Sequence, residues 1–338
     1  MHLENFQVFI ICVTTIIRDC LKDDSHIYLQ RKSINIMNYV LKKVMSWGRY
    51  LLFSLIISIT KWTPFFILYT ISSLVSRLLL HIKKIPTNEI AQRNLRRAFP
   101  EKTHNEVREL CRKYYEGFCD YLIEFVKRTR FSDEKMKQHC RFKNLELLTE
   151  IFKTHQFVIC YGGHMLNFEW QVSLPLHMPE YGMCHLYLSG ESGKEMDWVL
   201  KVRSQYGAIN IPSSSPLKTL LKLKEDLSTG TDKHKGYIFG TLADMDTTAD
   251  NPHVSSFFNH NLEMLTGSER IGRKMNMAFV YAHMSRPKRG YYVIDFKEMS
   301  PTDIETNPFA YTDEFVRLLE NNIREKPELW MQWGECRF

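Results

Sequence analysis

The hydrophobic pattern divides the chain into three parts. The first, residues 1–36, holds one apolar run at residues 6–17, which is too short to span a bilayer. This run lacks a basic leader and a small-residue cleavage site, so it is not typical of a signal peptide. Because Met37 opens a more natural start, Met-Asn-Tyr-Val-Leu-Lys-Lys, we expect residues 1–36 to be a dispensable extension.

The second part, residues 37–85, is dominated by a hydrophobic stretch at residues 51–80. Only Lys61 and Arg77 are charged within it, and Pro64 near its middle should break or kink a helix. Three interpretations stay open: a kinked span, a pair of helices dipping into one leaflet, and a buried helical hairpin. Basic residues on both sides define no topology, but they suit an anionic cytoplasmic leaflet. We therefore expect a membrane anchor.

The third part, residues 86–338, alternates helical and strand patterns. Thr103 and Glu106 form a capping box ahead of an amphipathic helix, and Thr312 is expected to cap a last helix that stops before Pro327. Apolar runs typical of strands lie at residues 156–161, 183–188, 237–243, 278–283 and 291–296. This alternation predicts an α/β fold in which helices flank a mostly parallel central sheet.

Composition narrows the range of partners. Hydrophobic residues make up 44% of the chain and charged residues 25%, which is ordinary for a folded protein. The net charge of +7 suits an anionic membrane, an anionic substrate or nucleic acid. No nucleic-acid-binding signature occurs, so we expect no nucleic-acid partner. The 8 cysteines form no CxxC pair, which disfavours a zinc site or a disulfide scaffold.

Candidate chemistry follows the predicted strand at residues 156–161, where Gly162 and Gly163 lead into His164. Ligands in open α/β sheets gather at the carboxyl ends of strands, and the two glycines permit a sharp turn with room for substrate. On a continuous helix His164 and Glu169 would lie roughly 140° apart. If His164 instead lies in the turn and Glu169 in the first turn of the next helix, the carboxylate can reach the imidazole.

Such a carboxylate would select the tautomer of His164 and leave the other ring nitrogen to act as a general base. The N–H groups of the adjacent helix start would suit a developing oxyanion. A bare His-x4-Glu spacing is a weak signal, and a hydrogen-bonded structural histidine remains the alternative. Zinc is not expected, because the pattern is not HExxH and no third ligand lies nearby.

The segment Gly-Gly-His-x4-Glu, after a hydrophobic anchor and before an arginine-containing helix, resembles the late acyltransferases of lipid A biosynthesis. The resemblance covers roughly residues 45–338, and its strength lies in the shared order of several short segments. These segments are Asn94-Leu95, Ala98-Phe99-Pro100-Glu101, Arg203-Ser204-Gln205-Tyr206-Gly207, Ala243-Asp244-Met245-Asp246, Phe257-Phe258, Thr266-Gly267, Pro327-Glu328-Leu329-Trp330 and Arg337-Phe338.

The resemblance implies a glycerolipid-acyltransferase-like fold at residues 86–338, behind a membrane anchor at residues 37–85. It also implies transfer of a fatty acyl group from acyl carrier protein, or coenzyme A, to a hydroxyl of a lipid A precursor. No cofactor beyond that thioester co-substrate is expected. The implied partners are acyl carrier protein, a glycolipid acceptor and the bacterial inner membrane, with the catalytic domain facing the cytoplasm.

The resemblance also assigns roles to residues. His164 becomes the catalytic base and Glu169 its partner. Oxyanion or substrate binding is assigned to Arg203, Gly163 and Asn167, although Arg203 on a helix surface and Asn167 as a helix-start residue remain the plainer interpretations. Further candidates at the end of a strand are Asp244 and Asp246.

Two segments depart from the family pattern. Tyr187-Leu188-Ser189-Gly190-Glu191 replaces the usual Tyr-Arg-Pro, and Trp333-Gly334-Glu335-Cys336 replaces a tail rich in histidine and arginine. Both departures bear on the identity of the acceptor more than on the type of reaction. Acylation of another glycolipid or phospholipid, a lipid hydrolase and a non-catalytic scaffold therefore stay as alternatives. The hydrolase lacks a GxSxG elbow, and the scaffold is disfavoured by the presence of both His164 and Glu169.

Overall fold

The computed structural model describes residues 50–81, 86–187, 193–245, 247 and 252–335. The predicted extension at residues 1–36, the candidate Asp246 and the last three residues lie outside this range. Contacts divide the chain into two units, Met1–Leu52 and Phe53–Phe338, and the second unit contains the sheet and the candidate site.

The hydrophobic stretch forms two helices, α1 (residues 50–62) and α2 (Phe65–His81). Pro64 stands between them, which confirms the predicted break: its ring and its missing N–H prevent one helix from continuing. Lys127 donates from Nζ to the carbonyls of Lys61 and Thr63, at 2.9 Å each, at the end of α1. Among the described residues, the apolar helices are all too short to cross a bilayer.

Two further helices, α3 (Pro86–Ala98) and α4 (His104–Lys127), precede the sheet. The predicted capping box of α4 is confirmed, with Thr103 and Glu106 each satisfying a backbone N–H of the other. The apolar face of α4 is buried as expected, and α2 packs beside it. Ser72 on α2 donates to the buried carboxylate of Asp120 on α4 at 2.6 Å.

Seven strands form the main sheet in the order β1-β9-β8-β2-β5-β3-β4. All neighbours in it are parallel except β8 and β9, which form an antiparallel hairpin, so the predicted mostly parallel sheet is confirmed. The strands are β1 (Cys140–Lys143), β2 (Phe157–Gly162), β3 (Gly182–Tyr187), β4 (Ile209–Pro212), β5 (Tyr237–Leu242), β8 (Ala278–Lys288) and β9 (Tyr291–Glu298).

A separate antiparallel pair, β6 (His253–Phe257) and β7 (His260–Met264), follows β5. The remaining helices are α5 (Asp133–His139), α6 (Leu145–Ile151), α7 (Lys194–Arg203), α8 (Pro216–Ser228), α9 (Gly267–Met275) and α10 (Ala310–Glu325). As expected, α10 ends before Pro327.

The role predicted for Thr312 is wrong, because Thr312 lies inside α10 rather than before it. Its N–H and its hydroxyl both donate to Oε2 of Glu269, at 2.8 and 2.7 Å. A carboxylate on α9 thus satisfies the start of α10, where free N–H groups and the helix dipole favour negative charge. Because the capping carboxylate belongs to a different helix, the sequence around Thr312 does not show it.

The register of the central strands positions the candidate site. Strands β2 and β5 are parallel neighbours, and Gly162 pairs with Leu242 at their carboxyl ends. His164 and Asp244 follow these paired residues at the same spacing. Because the two strands end level with each other, the two side chains emerge side by side at one edge of the sheet.

Candidate active site

His164 and Asp244 form a close pair at this edge. The ring Nδ1 of His164 lies 2.6 Å from Oδ1 of Asp244, and the backbone N–H of His164 donates to Oδ2 at 2.8 Å. Their side chains are 0% and 1% exposed, respectively. One buried carboxylate therefore holds both the ring and the backbone of the histidine.

The C-terminal segment completes the surroundings of Asp244. Trp330 donates from Nε1 to Oδ2 of Asp244 at 2.8 Å. The same segment pairs with the histidine loop through two backbone hydrogen bonds, from Met331 N–H to the His164 carbonyl at 2.9 Å and from Leu166 N–H to the Leu329 carbonyl at 2.7 Å. The sequence places Trp330 only within a family-like segment, whereas its hydrogen bond to Asp244 makes it part of the site.

Charge and hydrogen bonds keep Asp244 ionised. Burial alone would raise the pKa of its carboxyl group, but the charge and hydrogen bonds of His164 and the donor of Trp330 outweigh burial, so the pKa lies below its ordinary value. An ionised carboxylate only accepts hydrogen bonds, so the proton at this contact resides on Nδ1 of His164. The atom of the ring that can take a proton from a hydroxyl is consequently Nε2.

The partner of the imidazole differs from the expected one. As predicted, His164 lies in the turn after β2, and Glu169 lies in the first turn of a helix, the 3₁₀ helix Phe168–Leu176. The carboxylate at Nδ1, however, belongs to Asp244. The chain between His164 and Glu169 is not helical, since Leu166 has a φ of +37°. Spacing along the sequence therefore did not reveal which carboxylate meets the ring.

Glu169 instead pairs with Arg203 at the end of α7. Arg203 Nε lies 3.1 and 3.0 Å from the two carboxylate oxygens, and Nη2 lies 2.5 Å from Oε1. Burial alone would raise the pKa of Glu169, but the charge and hydrogen bonds of Arg203, with smaller effects of other cations, bring it below its ordinary value. Arg203 is 11% exposed, so it is a largely buried ion-pair partner rather than a surface arginine.

Arg128, which sequence reasoning missed, supports this ion pair. Its guanidinium is fully buried and donates to the backbone carbonyl of Glu169 and, at 3.1 Å, to that of Val202. Arg128 thereby joins the two chain segments that carry Glu169 and Arg203. An arginine just after an amphipathic helix is usually solvated, so the sequence carries no signal for this contact.

Gly163 and Asn167 are both closely surrounded by other parts of the protein. A Cβ on Gly163 would overlap Cδ1 of Leu319 on α10, so the space predicted for substrate is filled by the protein itself. Asn167 precedes the 3₁₀ helix but makes no side-chain capping bond. Its amide nitrogen donates to the buried carboxylate of Glu124 on α4. The fully buried side chain of Asn167 is thus not an open substrate contact.

We expect Arg203→Ala to lower kcat/KM by about 10²–10³-fold, the effect typical of losing an oxyanion donor. The substitution also leaves Glu169 buried without its cation, so thermal unfolding should be measured alongside the rate. The double variant Arg203→Ala/Glu169→Ala removes that stranded charge and should regain stability without regaining activity.

Arg286→Ala is a matched control for Arg203→Ala, because Arg286 also pairs with a buried carboxylate, Asp120, at 3.4 Å, and takes no part in this site. We expect it to lower stability and leave the rate per folded molecule unchanged. A wild-type rate in Arg203→Ala would restrict Arg203 to a structural function.

Comparison with known proteins identifies the family of the chain. A family model described as "Bacterial lipid A biosynthesis acyltransferase" matches residues 38–335. The comparison with individual curated proteins found no match. Because the family model covers well over half of the chain, including both strand ends and the C-terminal segment around Trp330, the chain belongs to the bacterial lipid A biosynthesis acyltransferase family and is an acyltransferase.

Proposed function

We propose that this acyltransferase moves a fatty acyl chain from an acyl carrier protein or coenzyme A thioester to a hydroxyl of a lipid A precursor, with His164 as the base. The observation that carries the proposal is the contact of 2.6 Å between His164 Nδ1 and Asp244 at the ends of neighbouring strands. An oriented histidine of this kind supports general-base catalysis without a resident cofactor.

In the proposed step, Nε2 of His164 takes the proton of the acceptor hydroxyl as its oxygen attacks the thioester carbonyl. A new C–O ester bond forms and the C–S bond breaks. The leaving thiolate recovers the proton from the imidazolium, so the histidine returns to its starting state. Asp244 stabilises the imidazolium in between, because its charge is buried beside Nδ1.

Arg203 can take one of two roles in this reaction. Its guanidinium would stabilise the negative oxygen of the tetrahedral intermediate or bind a phosphate of the acceptor. Its partial exposure, at 11%, sets it apart from the fully buried His164. Because Glu169 engages Nε and Nη2, the guanidinium is held in one orientation before substrate arrives.

We also propose that the protein associates with the bacterial inner membrane through α1 and α2, with its catalytic sheet on the cytoplasmic side. Trp62 and Phe66 are each 72% exposed, and the guanidinium of Arg130 lies 3.6 Å from the ring of Trp62. Aromatic and basic residues together favour a lipid interface. The large exposed apolar residues of this face are Leu55, Ile56, Ile59, Trp62, Phe66, Ile67, Ile71, Leu74 and Leu78.

We expect Phe66→Asp to weaken binding to anionic phospholipid vesicles by about ten- to hundredfold, because burial of one large apolar side chain contributes about 1.5–3 kcal/mol. Co-sedimentation with the vesicles measures this. Leu221→Asp is the matched control, since Leu221 is 51% exposed and lies on a different helix, α8. Equal binding of both variants and the wild type would contradict membrane association through α2.

The reaction is tested with purified protein in detergent, acyl carrier protein bearing a labelled chain, and a lipid A precursor. We expect label in the precursor, and about 10²–10⁴-fold slower labelling when His164→Ala replaces the wild type. Label found only in free fatty acid would identify a hydrolase instead. Label found only in added phospholipid or another glycolipid would keep the acyl transfer and replace the acceptor. Coenzyme A thioester in place of the carrier protein tests the donor.

A further inference from the structure

Glu124 on α4 is a buried carboxylate that the proposed reaction does not use. It is 0% exposed, and donors from three other parts of the fold converge on it. Tyr69 on α2 donates at 2.8 Å, Tyr292 on β9 donates at 2.7 Å, and the amide nitrogen of Asn167 donates from the histidine loop. A carboxylate with so many donors stabilises the fold, but one of these donors lies inside the candidate site.

Asn167 occupies the short loop between His164 and Glu169. It is itself 0% exposed, and its Oδ1 has no hydrogen-bond partner among the described residues. The contact that orients its side chain is therefore the hydrogen bond to Glu124. The same loop contains Leu166 at a φ of +37°, a strained backbone conformation that residues other than glycine rarely adopt. A strained loop returns to other conformations unless its neighbours hold it.

We propose that Glu124 is a positioning residue for the acyl transfer: by holding Asn167 it sets the loop that separates the His164–Asp244 pair from the Glu169–Arg203 pair. This inference rests on the proposed function of His164. Among the described residues, the hydrogen bonds of Glu124 reach neither ion pair, so it acts through Asn167. Its bond to Tyr69 also ties the loop to α2, the helix that carries part of the proposed membrane face.

The charges around Glu124 support this function. Burial first, and then the negative charge of Asp120 on the same helix, raise its pKa to about 7. From the other elements it faces Tyr69, Tyr292 and Asn167, which are neutral donors; the nearby cations Arg286 and Arg289 pair with Asp120. As pH falls through about 7, Glu124 gains a proton, so the carboxyl group loses its negative charge and one of its oxygens becomes a donor. The three hydrogen bonds then weaken, because they no longer end on a charged acceptor.

The test compares Glu124→Gln, Asn167→Ala and the double variant with the wild type, by kcat, KM and thermal unfolding. We expect each single variant to lower kcat by about ten- to hundredfold with little change in KM, as for loss of a hydrogen bond to a charged group. The double variant should be no slower than either single one, because both act through the same contact. Losses that multiply would overturn the proposal.

Asp120→Asn is the matched control. Asp120 is also a buried carboxylate on α4, one turn before Glu124, but its partners are Ser72, Arg286 and Arg289. We expect it to lower the unfolding temperature and leave kcat of the folded enzyme unchanged. An equal loss of kcat in Asp120→Asn would assign the effect of Glu124 to general destabilisation.

Hydrogen–deuterium exchange of peptides covering residues 163–176 tests positioning without any acyl acceptor. Glu124→Gln and Asn167→Ala should speed this exchange, and Asp120→Asn should not. In the wild type, exchange corrected for its intrinsic pH dependence should rise as pH falls through about 7, whereas Glu124→Gln should show no such rise. Unchanged exchange would contradict the proposal even if transfer to lipid A precursor is demonstrated; failure of that transfer alone would instead contradict the proposed acceptor.

Discussion

Replacement of His164 by alanine should lower kcat for acyl transfer by about 10²–10⁴-fold, the contribution typical of a positioned general base. Without the imidazole, the acceptor hydroxyl has no adjacent group to take its proton during attack on the thioester. The substitution also strands the buried charge of Asp244, whose partners include the His164 ring, so part of the effect will be on folding. Rates must therefore be expressed per folded molecule.

His164→Asn separates these two effects. The asparagine amide places a donor near the position of Nδ1 and so keeps a hydrogen bond to Asp244, but it offers no basic nitrogen. We expect it to restore much of the stability lost in His164→Ala while remaining as slow. Single-turnover transfer of labelled chain and thermal unfolding measure the two quantities. Transfer by either variant at the wild-type rate would rule out His164 as the base.

Asp244→Asn should reduce kcat by about 10⁴-fold, the loss seen when an amide replaces the aspartate of a histidine–aspartate pair. The geometry explains why the amide is harmful. The His164 backbone N–H and Trp330 Nε1 both donate to Oδ2, so the amide oxygen must stay at that position. The amide nitrogen then faces Nδ1, which becomes an acceptor, and the ring proton moves to Nε2. That tautomer cannot take a proton from the acceptor hydroxyl.

Trp330→Phe is the control for this prediction. It removes one donor to Asp244 and keeps the charge and the contact with the ring, so we expect a much smaller loss than for Asp244→Asn. Comparison of Asp244→Asn with Glu169→Gln then ranks the two carboxylates. A near-wild-type rate in Asp244→Asn with a large loss in Glu169→Gln would return the orienting function to Glu169.

Local sequence patterns predicted the elements whose start or end depends on residues close together in the chain. The capping box at Thr103 depends on residues within one helical turn, and Pro64 ends α1 whatever surrounds it. The buried strands β2 and β5 were recognised because a strand covered on both faces reads as a continuous apolar run. Strands β1 and β4 and the β6–β7 pair were missed, because each mixes buried with partly or fully exposed positions in at most five residues.

The sequence alone determined which histidine follows the central strand and that Glu169 lies in the first turn of the next helix, because strand ends and helix starts are set by neighbouring residues. Only the tertiary structure decided what meets that histidine. Asp244 lies 80 residues beyond His164 in the chain, and Trp330 lies a further 86 residues beyond Asp244. The register of β2 with β5 and the path of the C-terminal segment bring the three side chains together. Such contacts depend on packing between distant segments, which no local spacing encodes.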